Sequence, residues 1–318
     1  MVEPAETYAR TMREPPADVT PADVLEALRG HWDLDVDQAE HLPVGFGAHH
    51  WVASSGGRRA WFVTLDGLLP RHSRESLEAA YAAAAALSGR LDFVLPCLAR
   101  PSGGYTATFA DGALSVVPWL DGSSVFAGTW SEEDLRATTA LLGRLHATSV
   151  DAPAWEPLLA DGDAFADGLA DSVRQPWDTG PFGETARQAI DQQLVDLRRW
   201  ASRYDDLASR ALDTREAWVP THGEPDPGNQ LVSHGHRFLV DWESLKLAPR
   251  ERDLWALGDG WESSYHHTAD ADLIELFDLQ WRLEEIASYA EWFSAPHVGN
   301  ESDEVAIQDL LDELDRDQ

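Results

Sequence analysis

The chain has 318 residues, 43% of them hydrophobic, and 14 tryptophans, which predicts one large or two modest globular domains rather than a disordered segment. Its 24 basic and 56 acidic side chains leave a formal net charge of −32, which disfavours nucleic acid as a partner. The single cysteine, Cys97, excludes an internal disulfide and fits a reducing compartment.

We expect a cytoplasmic protein with no membrane partner. The first 18 residues lack the apolar core of a secretory signal. The longest apolar run, residues 79–87, is far shorter than the roughly 18 residues that a membrane span needs. The negative charge has two open explanations, attraction of a cationic ligand and adaptation to an acidic or salt-rich host.

The first third of the chain predicts a helix and then a small β-rich lobe. Thr20 is a candidate N-cap with Pro21 at the first helical position, and Val24 and Leu28 share one face of the helix that follows. A second helix is expected to end near Gly89. The strands are predicted at residues 40–47, 49–54, 59–66, 92–99 and 105–120, the last with a turn at 110–112.

Helical patterns dominate from Leu120 onward. One begins at Ser131, which has capping-box spacing to Asp134. Further amphipathic stretches are predicted at residues 183–211, 271–293 and 303–317. The change of character near residues 121–124 predicts a small β-rich lobe at 1–120 and a larger helical lobe at 121–318.

The stretch THGEPDPGNQLV, residues 221–232, has the composition of a catalytic loop. Glu224 is followed five positions later by Asn229, and Asp241 comes 17 residues after Glu224, across a predicted strand, turn and return strand. Phosphoryl transfer needs a carboxylate that orients a hydroxyl and oxygen ligands that hold magnesium. We therefore expect Glu224, Asn229 and Asp241 to lie together.

These motifs identify a family resemblance. THGEPDPGN, LVDWES and APRERDLWAL, supported by LGRLHATS, VVPWLDG and WRLEEIASYAEWF, resemble the aminoglycoside phosphotransferase family, and most closely its spectinomycin-phosphotransferase-like branch, over residues 20–315. The resemblance implies an α+β, bilobal protein-kinase-like fold. In such a fold, the lobe at 1–120 would cover the nucleotide, and the lobe at 121–318 would carry the catalytic loop and the acceptor-binding helices. The resemblance also implies transfer of the γ-phosphoryl group of ATP or GTP to a hydroxylated small molecule that is cationic or polyhydroxylated, such as an aminoglycoside-like antibiotic or a related metabolite.

The same resemblance assigns the catalytic residues. Glu224 would be the general base, at a position where the family usually has Asp, and Asn229 and Asp241 would be the Mg²⁺ ligands. His222 and Asp253 would be structural, bonding backbone around the loop.

The nucleotide site is predicted from the first lobe. Gly45 and Gly47 would belong to a phosphate-covering loop, although a plain hairpin also explains GFGAHH. Pro118, Trp119 and Leu120 would be hinge residues whose backbone meets the base. Thr64 occupies the position where kinase-like folds place a phosphate-binding Lys. Arg71 or Arg74 are candidates to replace that Lys, and Glu75 or Glu78 would be its usual helix partner.

Two other classes remain open. The Thr64 and Glu224 departures also fit a kinase-like binding protein with impaired catalysis. A metal-dependent hydrolase would need a metal cage, and His222, His234 and His236 are better explained by a loop and an exposed hairpin.

Overall fold

The computed structural model describes residues 14–44, 48–68, 72–124 and 131–316. The chain divides into two compact units, Met1–Ala154 with Val219–Thr268, and Trp155–Trp218 with Ala269–Gln318. This division by compactness differs from the predicted lobes at 1–120 and 121–318, and the lobe boundary stays a prediction.

The first unit contains a five-stranded antiparallel sheet with the strand order β1-β2-β3-β5-β4. The strands are β1 Gln38–Leu42, β2 Ala48–Ser55, β3 Arg58–Gly67, β4 Ala107–Phe109 and β5 Gly112–Pro118. Two helices, α1 Pro21–Trp32 and α2 Arg74–Ser88, pack on this sheet.

The strand alternation places different residues on the two faces of this sheet. Val24 and Leu28 of α1 pack with Trp51 of β2 and Val63 of β3 in one core. Successive side chains along a strand point to opposite faces of the sheet. Thr64 is the next residue along β3 and faces the opposite side. The predicted N-cap of α1 is confirmed, with Thr20 accepting a hydrogen bond from the Asp23 N–H.

The rest of the first unit surrounds the predicted loop. Two small antiparallel sheets have the orders β6-β8-β9 and β10-β7. The elements are β6 Ser123–Ser124, α3 Glu132–His146, β7 Val219–Thr221, β8 Gln230–Ser233, β9 His236–Leu239, β10 Lys246–Ala248 and α7 Glu251–Trp255. β8 and β9 form the predicted strand, turn and return strand before Asp241, with the turn residues His234 and Gly235 at positive φ.

The second unit is helical in its described residues. Its helices are α4 Gly162–Ser172, α5 Gly183–Gln192, α6 Leu194–Leu212, α8 Ala271–Ser294 and α9 Glu301–Asp315. A buried Arg282 joins α8 to the end of α9, since its Nε donates to the Glu313 carbonyl at 2.9 Å while its guanidinium lies 3.9 Å from the Trp200 ring. Among the described helices, none combines the length and apolar character that a membrane crossing requires.

Two expectations about secondary structure were wrong, and one helix was not predicted. Residues 92–99 form no strand, because Pro96 lacks an N–H and the flanking amides bond to different partners, Leu95 to Leu239 and Leu98 to Val116. The stretch 183–211 is two helices separated at Gln193. Helix α4 was missed, although Asp161 caps it by accepting from the Ala164 N–H.

Candidate active site

The start of the predicted loop is held by one buried carboxylate. Asp253, in α7, accepts hydrogen bonds from the backbone N–H of His222 at 3.0 Å and of Gly223 at 2.6 Å. Gly223 has φ 103°, and a side chain there would overlap the guanidinium of Arg252. The Gly of the His-Gly-Glu sequence is therefore required by backbone conformation and by close packing.

Asp253 is itself held ionised by its neighbours. Burial would raise the pKa of its carboxyl, but the hydrogen bond from His146, together with the charge of Arg252, outweighs burial and holds this pKa below its usual range. His146, in α3, lies with Nε2 2.9 Å from Asp253 and with Nδ1 2.5 Å from the Tyr265 hydroxyl. The loop is thus connected to α3 through a fully buried chain of hydrogen bonds.

The ring of His222 links the loop to the residue before Asp241. Its Nε2 donates to the Val240 carbonyl at 2.8 Å, and its Nδ1 accepts from the Glu224 N–H at 3.3 Å. Burial lowers the pKa of His222, so the ring is neutral and can donate and accept at once. These bonds fix the backbone of Glu224 relative to that of Asp241, as expected for a structural histidine.

Asn229 joins the two other predicted residues. Its side-chain Nδ2 donates to the backbone carbonyl of Glu224 at 2.9 Å, and its own backbone carbonyl accepts from the Val240 N–H at 3.0 Å. Asp226 caps the short turn by accepting from the N–H of Gly228 at 2.6 Å and of Asn229 at 3.2 Å. The backbone therefore brings Glu224, Asn229 and the segment leading to Asp241 into one hydrogen-bonded cluster.

Asp241 has an unusual backbone conformation. Its φ of 67° lies in the left-handed region, which Asp tolerates better than most residues. The side chain is exposed, while Trp242 beside it is buried and contacts the His222 ring at 4.6 Å between centroids. In the described residues, no three His, Cys, Asp or Glu side chains come together as a metal site, whereas one amide oxygen and one carboxylate are a donor set of the kind that Mg²⁺ uses.

Thr64 on β3 is hydrogen-bonded to a histidine on the neighbouring strand. Its Oγ1 shares a hydrogen bond of 3.1 Å with His50 Nδ1 on β2, and the His50 ring stacks on Phe62 at 5.0 Å. Burial lowers the pKa of His50 to about 4, despite the opposing charge of Glu243. The neutral side chains of His50 and Thr64 therefore occupy the position at which the family resemblance predicts a phosphate-binding lysine.

Arg74, a predicted substitute for the missing Lys, and Glu78, a candidate for its usual helix partner, both bond to other groups. Arg74 donates to Thr106 Oγ1 at 3.4 Å and to the Gly112 carbonyl at 3.3 Å. Glu78 accepts from the N–H groups of Tyr105 and Thr106 and from the Thr106 hydroxyl, each at 2.7 Å. Both side chains thus tie α2 to the segment before β4. Arg71 lies outside the described residues.

The remaining nucleotide predictions fall on the covering loop and the hinge. Gly45 and Gly47 lie outside the described residues. Pro118 ends β5, and the Trp119 N–H donates to the Ala60 carbonyl at 2.9 Å, so this amide extends the sheet. A base contact from residues 118–120 would use the other main-chain groups of this segment, which include those of Leu120.

Sequence reasoning missed residues that act through distant partners. The roles of His146 and Tyr265 have no local signal beyond a histidine on a helix. The pair His72 and Glu243, 3.3 Å apart, connects the residue before the N-cap of α2 to the turn after Asp241. Gln230, next to Asn229, is buried and was also overlooked.

Comparison with known proteins identifies the family. The phosphotransferase enzyme family model (APH) matches residues 39–292. Protein StrN of Streptomyces griseus is 27% identical over 305 residues, which cover 90% of each chain. A spectinomycin phosphotransferase solved with ADP and spectinomycin has a TM-score of 0.72 at 15% identity, covering 94% of this chain and 96% of that one. A microcompartment-associated aminopropanol kinase has a TM-score of 0.58 at 14% identity, covering 92% and 95%.

These likenesses confirm the fold class and the family resemblance. The α+β, kinase-like bilobal fold that the sequence predicts is the fold of the spectinomycin phosphotransferase. The family model spans the sheet, the His-Gly-Glu loop and most of α8. The chain therefore belongs to the phosphotransferase enzyme family.

Proposed function

We propose that this phosphotransferase transfers the γ-phosphoryl group of ATP to a hydroxyl of a small molecule, with Glu224 as general base. The observation that carries the proposal is a cluster of two hydrogen bonds at Asn229. Its side-chain amide donates to the backbone carbonyl of Glu224, and its backbone carbonyl accepts from the N–H of Val240, next to Asp241. The cluster thus combines the Glu224 carboxylate with two oxygen ligands for a metal, from Asn229 and Asp241, on a backbone held by hydrogen bonds.

Each residue has a defined task. The Glu224 carboxylate orients the acceptor hydroxyl and takes its proton as the hydroxyl oxygen bonds to the γ-phosphorus and the bond to the β–γ bridging oxygen breaks. Asn229 Oδ1 and the Asp241 carboxylate would hold Mg²⁺, since the Asn229 amide nitrogen is already committed to Glu224. The bound ion would neutralise charge on the nucleotide phosphates.

The donor and acceptor are proposed from the relatives and from charge. Spectinomycin phosphotransferase has been solved with ADP and in an AMP-bound complex, the latter with a TM-score of 0.69, which supports an adenine nucleotide. Spectinomycin and aminopropanol, in the names of two structural relatives, support a hydroxylated small molecule. The net charge of −32 favours a cationic acceptor over an anionic one.

The direct experiment is a mass-spectrometric screen. The protein is incubated with ATP or GTP, Mg²⁺ and a panel of spectinomycin, aminoglycosides, macrolides and amino alcohols, and each acceptor is checked for the gain of one phosphate. Glu224→Gln serves as the inactive control. A panel with no phosphorylated member under conditions where nucleotide binds would refute transfer to these classes.

A second candidate function is nucleotide-linked binding without catalysis. The buried, neutral pair of His50 and Thr64 favours it, because neither of these two side chains supplies a positive charge to anchor the phosphates. In that case Mg²⁺–nucleotide would stabilise the protein against heat while the wild type and Glu224→Gln give the same absence of product.

A further inference from the structure

Gln230 is a buried polar side chain whose hydrogen-bonding capacity is fully used. It has 0% exposure and follows Asn229 directly. Its Oε1 accepts from Thr138 Oγ1 at 2.9 Å and from Arg237 Nη1 at 2.7 Å. Its Nε2 donates to the carbonyls of Pro225 at 2.9 Å and Asp226 at 3.3 Å. A primary amide has two donors and two acceptor lone pairs, so all four are satisfied.

The two donors complete a row of contacts along the loop. The carbonyls of Glu224, Pro225 and Asp226 are consecutive, and each accepts from a carboxamide, the first from Asn229 and the next two from Gln230. Pro225 has no N–H of its own with which to brace the turn. These two amides therefore hold the first half of the turn from Glu224 to Asn229, and Asp226 caps its second half.

The acceptor side of Gln230 connects the loop to rigid elements. Thr138 lies in the middle of α3 and is fully buried. Arg237, on β9, is neutralised by an ion pair with Asp134 in the first turn of α3. A charged donor at Oε1 also polarises the amide and strengthens its N–H donors. Helix, hairpin and loop thus meet at one amide group.

We propose that Gln230 is a positioning residue for phosphoryl transfer, which fixes the Glu224–Asn229 turn against α3 and β9. The inference rests on the proposed function for its kinetic consequence, but its structural part can be measured without turnover. Displacing a catalytic group by about 1 Å can cost on the order of 100-fold in rate, so loss of this brace acts on kcat.

The first variant is Gln230→Met, which keeps the length and the unbranched shape of the side chain and removes its hydrogen bonds. We expect kcat to fall about 10- to 100-fold, because the turn that carries Glu224 loses the hydrogen bonds that fix it against α3 and β9. A folded variant with the wild-type kcat overturns the proposal.

A neighbouring pair of threonines supplies a matched test that does not touch Gln230. Thr138 and Thr139 are both fully buried in α3, but Thr138 donates to Gln230 and Thr139 donates to Leu135 within its own helix. Thr138→Val should lower kcat about 2- to 10-fold, the effect of one neutral hydrogen bond, and Thr139→Val should not. Equal effects would mean general packing and would overturn the proposal.

Hydrogen exchange separates this inference from the proposed function. The amides of Gly228 and Asn229 lie in the braced turn and report its opening. They should exchange faster in Thr138→Val than in Thr139→Val. If the wild type transfers no phosphate to any acceptor, the proposed reaction fails, and faster exchange still supports positioning of the loop. Equal exchange in the two variants overturns positioning whether or not the wild type is active.

Discussion

His50 Nδ1 and Thr64 Oγ1 lie 3.1 Å apart across β2 and β3, and Thr64 is the residue that we predict, from the family resemblance, to stand in place of the phosphate-binding lysine of kinase-like folds. Both side chains are buried, and His50 is neutral at physiological pH because burial lowers its pKa to about 4. A hydrogen-bonded neutral pair thus occupies the predicted lysine position.

Restoring the lysine should raise the affinity for Mg²⁺–ATP or leave it unchanged. Thr64→Lys adds a cation on the face of β3 that carries Thr64, at a cost in stability, because it breaks the bond to His50 and places an ammonium group at a buried site. Isothermal titration measures the affinity. The control is Thr64→Val, which breaks the same bond without adding charge and should leave the affinity unchanged. A large loss in both variants would assign Thr64 itself a binding role.

The depressed pKa of His50 predicts a pH-dependent stability. Unfolded His titrates near pH 6.5, whereas folded His50 titrates near pH 4, so between these values the unfolded state binds more protons. The contribution of His50 to folding is therefore lost progressively as the pH falls below about 6.5, by about 2 kcal/mol between pH 7 and pH 5.

Urea unfolding of the wild type and of His50→Gln at pH 7, 6 and 5 tests this linkage. Gln keeps a group able to bond Thr64 but does not titrate, so the stability difference between wild type and variant should shift in favour of the variant as the pH falls. Parallel pH profiles for the two proteins would show that His50 is not the titrating group.

Removing the proposed base should stop the reaction without unfolding the chain. The backbone N–H of Glu224 donates to His222 and its carbonyl accepts from Asn229, and Glu224→Gln keeps both bonds. We expect turnover to fall about 100-fold or more, as for other removed acid–base groups. Glu156→Gln, at an exposed site in the second unit, makes the same chemical change and should be silent. Wild-type turnover in Glu224→Gln would remove this carboxylate from the mechanism.

Asp241→Asn should abolish the stabilisation that Mg²⁺–ATP provides. Asn tolerates the left-handed backbone at φ 67°, so the change removes charge with little strain. At a ligand concentration 100 times Kd, the wild type should gain about 2.7 kcal/mol, seen as a rise in Tm, and the variant should gain far less. Asp33→Asn is the matched control, because Asp33 is exposed and also left-handed, at φ 55°. Equal nucleotide-induced shifts in both variants would place the metal elsewhere.

A cationic acceptor should bind more weakly as salt rises. The net charge of −32 attracts amines, and screening shortens the range of that attraction from about 10 Å at 0.1 M to about 3 Å at 1 M salt. The KM of an amine-bearing acceptor should therefore rise with salt, and that of a neutral acceptor should stay nearly constant. A salt-independent KM for both would leave host adaptation as the explanation of the charge.

The sequence by itself determined the features that depend on near neighbours in the chain. The cap of α1 at Thr20, the turn between β8 and β9, and the spacing of Glu224, Asn229 and Asp241 follow from periodicity and turn chemistry over at most about 20 residues. The family resemblance rests on the same local motifs, and the fold and family that it implied are confirmed.

Only the tertiary structure decided which buried polar side chains meet, both on the five-stranded sheet and around the loop. His50 meets Thr64 from 14 residues away, Thr138 meets Gln230 from 92, and His146 meets Asp253 from 107. A hydrogen bond constrains only the positions of two polar groups, so a glutamine or histidine in isolation has no sequence pattern that names its partner. Packing brings these groups together in the interior, where a buried polar group is costly unless it is paired, and that requirement selects the partners.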